Sequence, residues 1–137
     1  MASIDAAPGT PVRGRVVVLE DDASVQHMLR TILRLERYEV EGFSNGRAAL
    51  QSVEESPPDL LVADLVVPEP DGWEVVRRLR AGVRTQSLPI LLISSVQELA
   101  AESEKVGASD YLAKPFRVQQ LLAKLDTLLA TPAAPAP

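Results

Sequence analysis

The chain has no cysteine, so disulfides and thiolate chemistry are excluded and any reaction it supports must use oxygen or nitrogen groups. Basic residues are in deficit: 14 lysines and arginines stand against 19 aspartates and glutamates, for a formal net charge of -5. That balance argues against a phosphate-backbone binder and so against direct contact with nucleic acid. No apolar run approaches the length that spans a bilayer, and the first ten residues lack the basic flank and apolar stretch of a secretory leader. The expected location is therefore the cytoplasm, with no membrane partner. Histidine occurs once, at His27, on the polar side of a helical stretch and with no second imidazole to share a metal or a phosphoryl group. It reads as a surface residue. No internal repeat is present.

What remains is a globular composition, 46% hydrophobic and 24% charged over 137 residues, enough for one domain with a true core. Proline, glycine and alanine mark the ends. Residues 1–14 and 131–137 read as disordered extensions, leaving a single domain over 15–130. Inside it, short apolar runs alternate with helical spacing. Strands are expected over Arg15–Leu19, Glu39–Phe43, Leu60–Asp64, Ile90–Ile93 and Tyr111–Ala113. Helices are expected from Ser24, from Ser44 or Asn45 up to Pro57-Pro58, from Gly72, over Gln97–Val106 and over Arg117–Ala130. This alternation predicts an α/β, doubly wound five-stranded parallel sheet of order 2-1-3-4-5.

Two of the strands stop at acids. Val16-Val17-Val18-Leu19 ends at Glu20, Asp21 and Asp22, and Leu60-Leu61-Val62-Ala63 ends at Asp64. Strands one and three are neighbours at the switch point of the predicted order, so Glu20, Asp21 and Asp64 are expected in one cleft. Crowded carboxylates repel unless a cation is shared. Magnesium, which takes oxygen ligands and often uses one or two carboxylates plus phosphate oxygens, suits such a cleft. An aspartate there can also act as a phosphoryl acceptor if charge on the transferring group is neutralised. Lys114, ending the fifth strand, and Ser94, ending the fourth, are placed to assist.

With these pieces together the chain resembles the receiver domains of two-component response regulators, which have the flavodoxin-like (βα)5 fold. The resemblance covers about Arg15 to Ala130. It rests on the run ending in Glu20-Asp21-Asp22, the run ending in Asp64 with Pro68 and Asp71-Gly72, the run Leu88 to Ser94-Ser95, and Gly107 to Phe116. It implies that Asp64 is the phosphorylated residue and that magnesium is held by Glu20, Asp21, Asp64 and the Val66 backbone carbonyl. It implies that Lys114 and Ser94 contact the phosphoryl oxygens, with Tyr111 as the aromatic partner of Ser94 in switching, and that the Lys114–Pro115 bond is cis. Asp22 and Pro115 are secondary candidates, and Asp22 reads first as an acid that caps a helix or faces solvent. The stretch from Ser94 to Gly107 is shorter than the family's usual by about half a helical turn, so a shortened fourth helix is expected.

The function implied is a stand-alone signalling switch, not an enzyme in the ordinary sense. A histidine kinase or histidine phosphotransfer protein would phosphorylate Asp64, and the altered surface would engage a downstream protein target or a second copy of the chain. Two other readings stay open. One is a degenerate receiver that binds protein without phosphorylation. The other is a magnesium-dependent aspartyl phosphatase, against which Val66 stands where a general acid is required.

Overall fold

The structure, a computed structural model, describes residues 11–129. The extension expected over residues 1–10, the tail over 131–137 and Ala130 lie outside the described residues. Ten elements alternate in chain order: β1 (Gly14–Leu19), α1 (Ala23–Leu35), β2 (Tyr38–Phe43), α2 (Gly46–Glu55), β3 (Leu60–Ala63), α3 (Gly72–Ala81), β4 (Ile90–Ser94), α4 (Leu99–Val106), β5 (Asp110–Ala113) and α5 (Val118–Leu129). The strands form one sheet in the order β2-β1-β3-β4-β5, and every pair is parallel. This is the predicted order.

The unbroken apolar strands follow from burial on both faces. Successive side chains point to opposite sides. Val16, Val18, Leu60, Val62, Leu91 and Ile93 pack with Leu29 and Leu33 of α1 and Leu121 and Leu125 of α5. Val17, Leu19, Leu61, Ala63, Ile90 and Leu92 pack with side chains of α2, α3 and α4, among them Val53, Val76 and Leu99. Truncating one of these buried leucines to alanine costs about 2–5 kcal/mol. Among the described residues no helix is long and apolar enough to cross a membrane.

The differences from expectation sit at element ends, where capping chemistry decides. Ser24 does not start α1. Asp22 does, because its carboxylate Oδ1 accepts from the Ser24 and Val25 amides at 2.9 and 3.1 Å, two amides that no helical carbonyl can reach. Asn45 caps α2 through the Ala48 amide at 2.9 Å, and Asp71 caps α3 through the Glu74 amide at 3.0 Å. The last residues of the expected extension belong to the fold: Gly14 opens β1, and the Arg13 amide donates to the Arg37 carbonyl at 2.7 Å. The Arg13 guanidinium also lies 4.9 Å over the Tyr38 ring.

The fourth helix is short, as expected, at 8 residues. It starts at Leu99 instead of Gln97 because Glu98 is left-handed (φ 58°, ψ 37°) and supplies no side-chain cap. Its other end is held firmly. Gly107 takes φ 86°, a conformation open to glycine at no steric cost, and the Arg80 guanidinium donates to the Gly107 carbonyl at 2.7 Å. Lys114–Pro115 is cis, as the resemblance implied, and Glu69–Pro70 is a second cis bond that the sequence reading did not anticipate.

Candidate functional site

The sheet register brings the acids together. Leu19 of β1 is paired with Ala63 of β3, so the next residues, Glu20 and Asp64, leave the sheet side by side. Their amides are tied to neighbouring strands, Glu20 to the Phe43 carbonyl at 3.0 Å and Asp64 to the Leu19 carbonyl at 2.9 Å. Both residues are buried, at 1% and 5% exposure. A buried carboxylate needs a partner with opposite charge, and β5 delivers one. Lys114 follows Ala113, its amide donates to the Ser94 carbonyl at 3.0 Å, and its ammonium reaches Glu20 Oε1 at 2.8 Å and Asp64 Oδ2 at 2.6 Å.

The remaining oxygens are used as well. Glu20 Oε2 accepts from the Asp22 amide at 3.0 Å and Asp64 Oδ1 from the Val66 amide at 3.0 Å. Burial pushes the Glu20 carboxyl above its ordinary range, and the hydrogen bonds from Lys114 and the Asp22 amide oppose this without cancelling it. For Lys114 burial works downward, but its hydrogen bonds to Asp64 and Glu20 outweigh it and the net direction is up. The two directions describe one balance. A single ammonium stabilised by two carboxylates is firmly protonated, while each carboxylate receives only part of its charge.

The buried part of the expected cluster is Glu20 and Asp64 around one lysine, and Asp21 beside them is exposed. Among the described residues no group of three His, Cys, Asp or Glu side chains is gathered closely enough to hold a metal by itself. Asp22 is also exposed and is spent on the α1 cap. The donor set nonetheless fits magnesium: it is all oxygen, its two buried carboxylates already converge on one cation, and this ion requires only one or two carboxylates with waters completing its octahedron. Val66 is 57% exposed, and its backbone amide donates to Asp64 Oδ1.

Ser94 is 1% exposed at the end of β4, and its hydroxyl makes one long contact, accepting from the Val96 amide at 3.4 Å. Tyr111 is 38% exposed, and its ring lies 5.5 Å from the Lys124 ammonium of α5. No hydrogen bond joins Ser94 to Tyr111, although their strands are paired. His27 is exposed. Pro115 and Lys114 line a groove of 450 Å3 together with Val25, Met28, Ser95 and Phe116.

Three residues that position these elements had no contact role assigned from the sequence. Gln26 of α1 donates from Nε2 to the Glu20 carbonyl at 2.8 Å and the Phe43 carbonyl at 3.1 Å. As a polar position on an amphipathic helix it carries no local signal. Gly72 seats α3 on the acceptor strand: a Cβ there would stand 2.3 Å from the Asp64 carbonyl oxygen and 2.5 Å from Leu65 Cα. The Asp71-Gly72 pair before a helical stretch was its signal, but the close approach was not legible. Glu102 of α4 accepts from the Trp73 indole at 2.7 Å, which links α4 to the start of α3.

A model of the response regulator receiver domain matches residues 16–126. The chain is 41% identical over 118 residues to the response regulator MprA of Mycolicibacterium vanbaalenii, an alignment that covers 84% of this chain and 50% of that protein. MprA of Mycobacterium leprae matches with the same identity and coverage. The chain thus spans half the length of the curated relatives it matches. Among solved structures, the chemotaxis response regulator CheY4 of Vibrio cholerae superposes with a TM-score of 0.79 at 30% identity, covering 88% of this chain and 100% of that one. The receiver domain of a Pseudomonas aeruginosa sensor histidine kinase, solved with a magnesium ion coordinated in its active site cleft, gives a TM-score of 0.80 at 27% identity, covering 86% of this chain and 98% of that one.

Proposed function

Because the chain belongs to the response regulator receiver domain family, we propose that Asp64 accepts a phosphoryl group from a histidine kinase or histidine phosphotransfer protein and that the modified domain presents a changed protein-binding surface. The observation that carries this reading is the Lys114 ammonium shared between buried Glu20 and buried Asp64. A lone aspartate at a strand end is ordinary, whereas two buried acids gathered around one lysine are costly to assemble and suit a site that must manage phosphate charge.

In the transfer a carboxylate oxygen of Asp64 forms a bond to phosphorus as the bond from phosphorus to the donor's imidazole nitrogen breaks. The donor ring, already protonated on its other nitrogen, keeps the bonding pair and leaves as neutral imidazole, and Asp64 becomes an acyl phosphate. Lys114, already within hydrogen-bond reach of Asp64 Oδ2, turns its ammonium to the phosphoryl oxygens as the carboxylate charge is lost. The Ser94 hydroxyl, with only its long contact to the Val96 amide, is free to reorient and donate to the same group, and Tyr111 follows it. Glu20, Asp21, Asp64 and the Val66 carbonyl would hold magnesium, which when bound would neutralise phosphoryl charge. Glu20 anchors that set from its buried position, and Asp21 contributes from the solvent side. Asp22 holds the start of α1. The proposed receiver unit runs from β1 to the end of α5, and the partners are a phosphodonor protein and a downstream protein target.

The test is incubation with a small acyl phosphate donor and magnesium, followed by intact mass. The wild type should gain one phosphoryl group that is stable in acid and labile in base, and Asp64→Asn should not. No added mass in the wild type, or equal labelling of Asp64→Asn, overturns the assignment and leaves a phosphorylation-independent binding module.

A further inference from the structure

Glu20 is 1% exposed, so its carboxylate has no freedom to swing into water and its aim is set by the backbone that carries it. That backbone is gripped by one side chain. The Glu20 amide donates to the Phe43 carbonyl at 3.0 Å. Gln26 Nε2 donates to the same Phe43 carbonyl at 3.1 Å and to the Glu20 carbonyl at 2.8 Å. A carboxamide nitrogen has two protons, and both are used. The peptide groups before and after Glu20 are thus tied to each other through Gln26, the first by way of Phe43 and the second directly.

The grip extends to the next turn of chain. The Gln26 amide donates to the Asp22 carbonyl at 2.9 Å, and the Asp22 amide donates to Glu20 Oε2 at 3.0 Å. On its far side the Gln26 carboxamide lies against β2 at Gly42, where a Cβ would stand 2.4 Å from Gln26 Oε1. Position 42 leaves the room that the carboxamide occupies.

We propose that Gln26 is a positioning residue for the cation site: by fixing both peptide planes of Glu20 it aims the buried carboxylate toward Asp64 and Lys114, and so sets the affinity for magnesium. The inference rests on the phosphoacceptor reading above. A residue that only sealed strand ends would lower stability when removed and leave cation affinity alone. Outer partners of metal ligands act on affinity.

The experiment is isothermal titration of the full chain with magnesium, alongside phosphoryl labelling at saturating magnesium. Gln26→Met keeps length and bulk but has no donors. It should weaken magnesium binding about tenfold, while saturating magnesium restores labelling of Asp64. Gly42→Ala keeps the carboxamide but pushes it from its seat, and should weaken binding in the same direction. Arg30→Met serves as control, since Arg30 lies one turn further along α1 and also borders Gly42 but bonds to neither carbonyl. It should bind magnesium as the wild type does. Wild-type affinity in both Gln26→Met and Gly42→Ala overturns the inference, as does an equal loss in Arg30→Met. A wild type that neither binds magnesium nor becomes labelled removes the phosphoacceptor reading instead, and this inference with it.

Discussion

Replacing Lys114 by methionine, which has nearly the same length and no charge, should destabilise the protein by about 3 kcal/mol at pH 7 without magnesium. The magnitude comes from the two contacts that the substitution removes, at 2.8 Å to Glu20 and 2.6 Å to Asp64. Unit charges 4 Å apart in a medium of effective dielectric 20 attract by about 4 kcal/mol, and these are closer, but forming them required desolvation. Breaking a buried pair from one side costs about 3–5 kcal/mol. The low end applies because the Lys114 side chain is 20% exposed and water can enter behind methionine. For a domain of this size that loss lowers the melting temperature by roughly 10 °C.

The pH dependence has a definite sign. Burial holds the Glu20 pKa above its unfolded value, so the folded state binds that proton more tightly. Its stabilising contribution is complete below the ordinary carboxylate range and is lost as pH rises through the raised value. Lys114, whose pKa is also raised, contributes fully below the ordinary lysine range and loses that contribution as pH climbs past it. Removing the ammonium pushes Glu20 further upward, so the deficit of Lys114→Met should shrink on acidification, by up to about 1.4 kcal/mol per pH unit while Glu20 takes its proton. Urea denaturation at pH 7 and pH 5, followed by circular dichroism and by Trp73 emission, measures both quantities. A deficit below about 1 kcal/mol at pH 7, or one that grows toward pH 5, would refute the buried-pair account.

Other substitutions separate the roles of neighbouring residues. Gly72→Ala forces a methyl against the Asp64 and Leu65 backbone and should cost about 2–3 kcal/mol in chemical denaturation; near-neutral behaviour would mean that α3 is not seated there. Asp22→Ala removes the α1 cap and should cost about 1 kcal/mol with magnesium affinity nearly unchanged. A large fall in affinity with little loss of stability would make Asp22 a ligand instead. Glu102→Ala takes away the indole's acceptor, so emission from the single tryptophan should shift and stability should fall by about 1–2 kcal/mol. An unchanged spectrum contradicts the α3–α4 link.

Local pattern was enough for the framework. Four-residue and five-residue apolar runs bounded by turn chemistry, and stripes such as Leu29 and Leu33, are set by the periods of strand and helix, which depend on neighbours in the chain. The sheet order and the meeting of Glu20 with Asp64 follow from connectivity and handedness, and they emerged as expected. Helix starts were less legible, because Asp22 and Ser24 are both good caps and only the backbone path decides which one faces the free amides.

The division of labour among the acids was decided in three dimensions. Glu20 and Asp21 are adjacent in sequence and chemically alike, yet one is buried and the other exposed, as the chain leaves the sheet past Leu19. The Lys114 bonds to Glu20 and Asp64 span 94 and 50 residues, distances over which no periodicity carries information. The contacts of Gln26 and Gly72 are hidden for the same reason: one is a polar helix position until two strand-end carbonyls arrive over it, and the other, marked in sequence only as a turn glycine, meets the acceptor backbone once α3 closes. Periodic burial is written along the chain, whereas hydrogen bonds and close approaches between distant segments exist only once the sheet has closed.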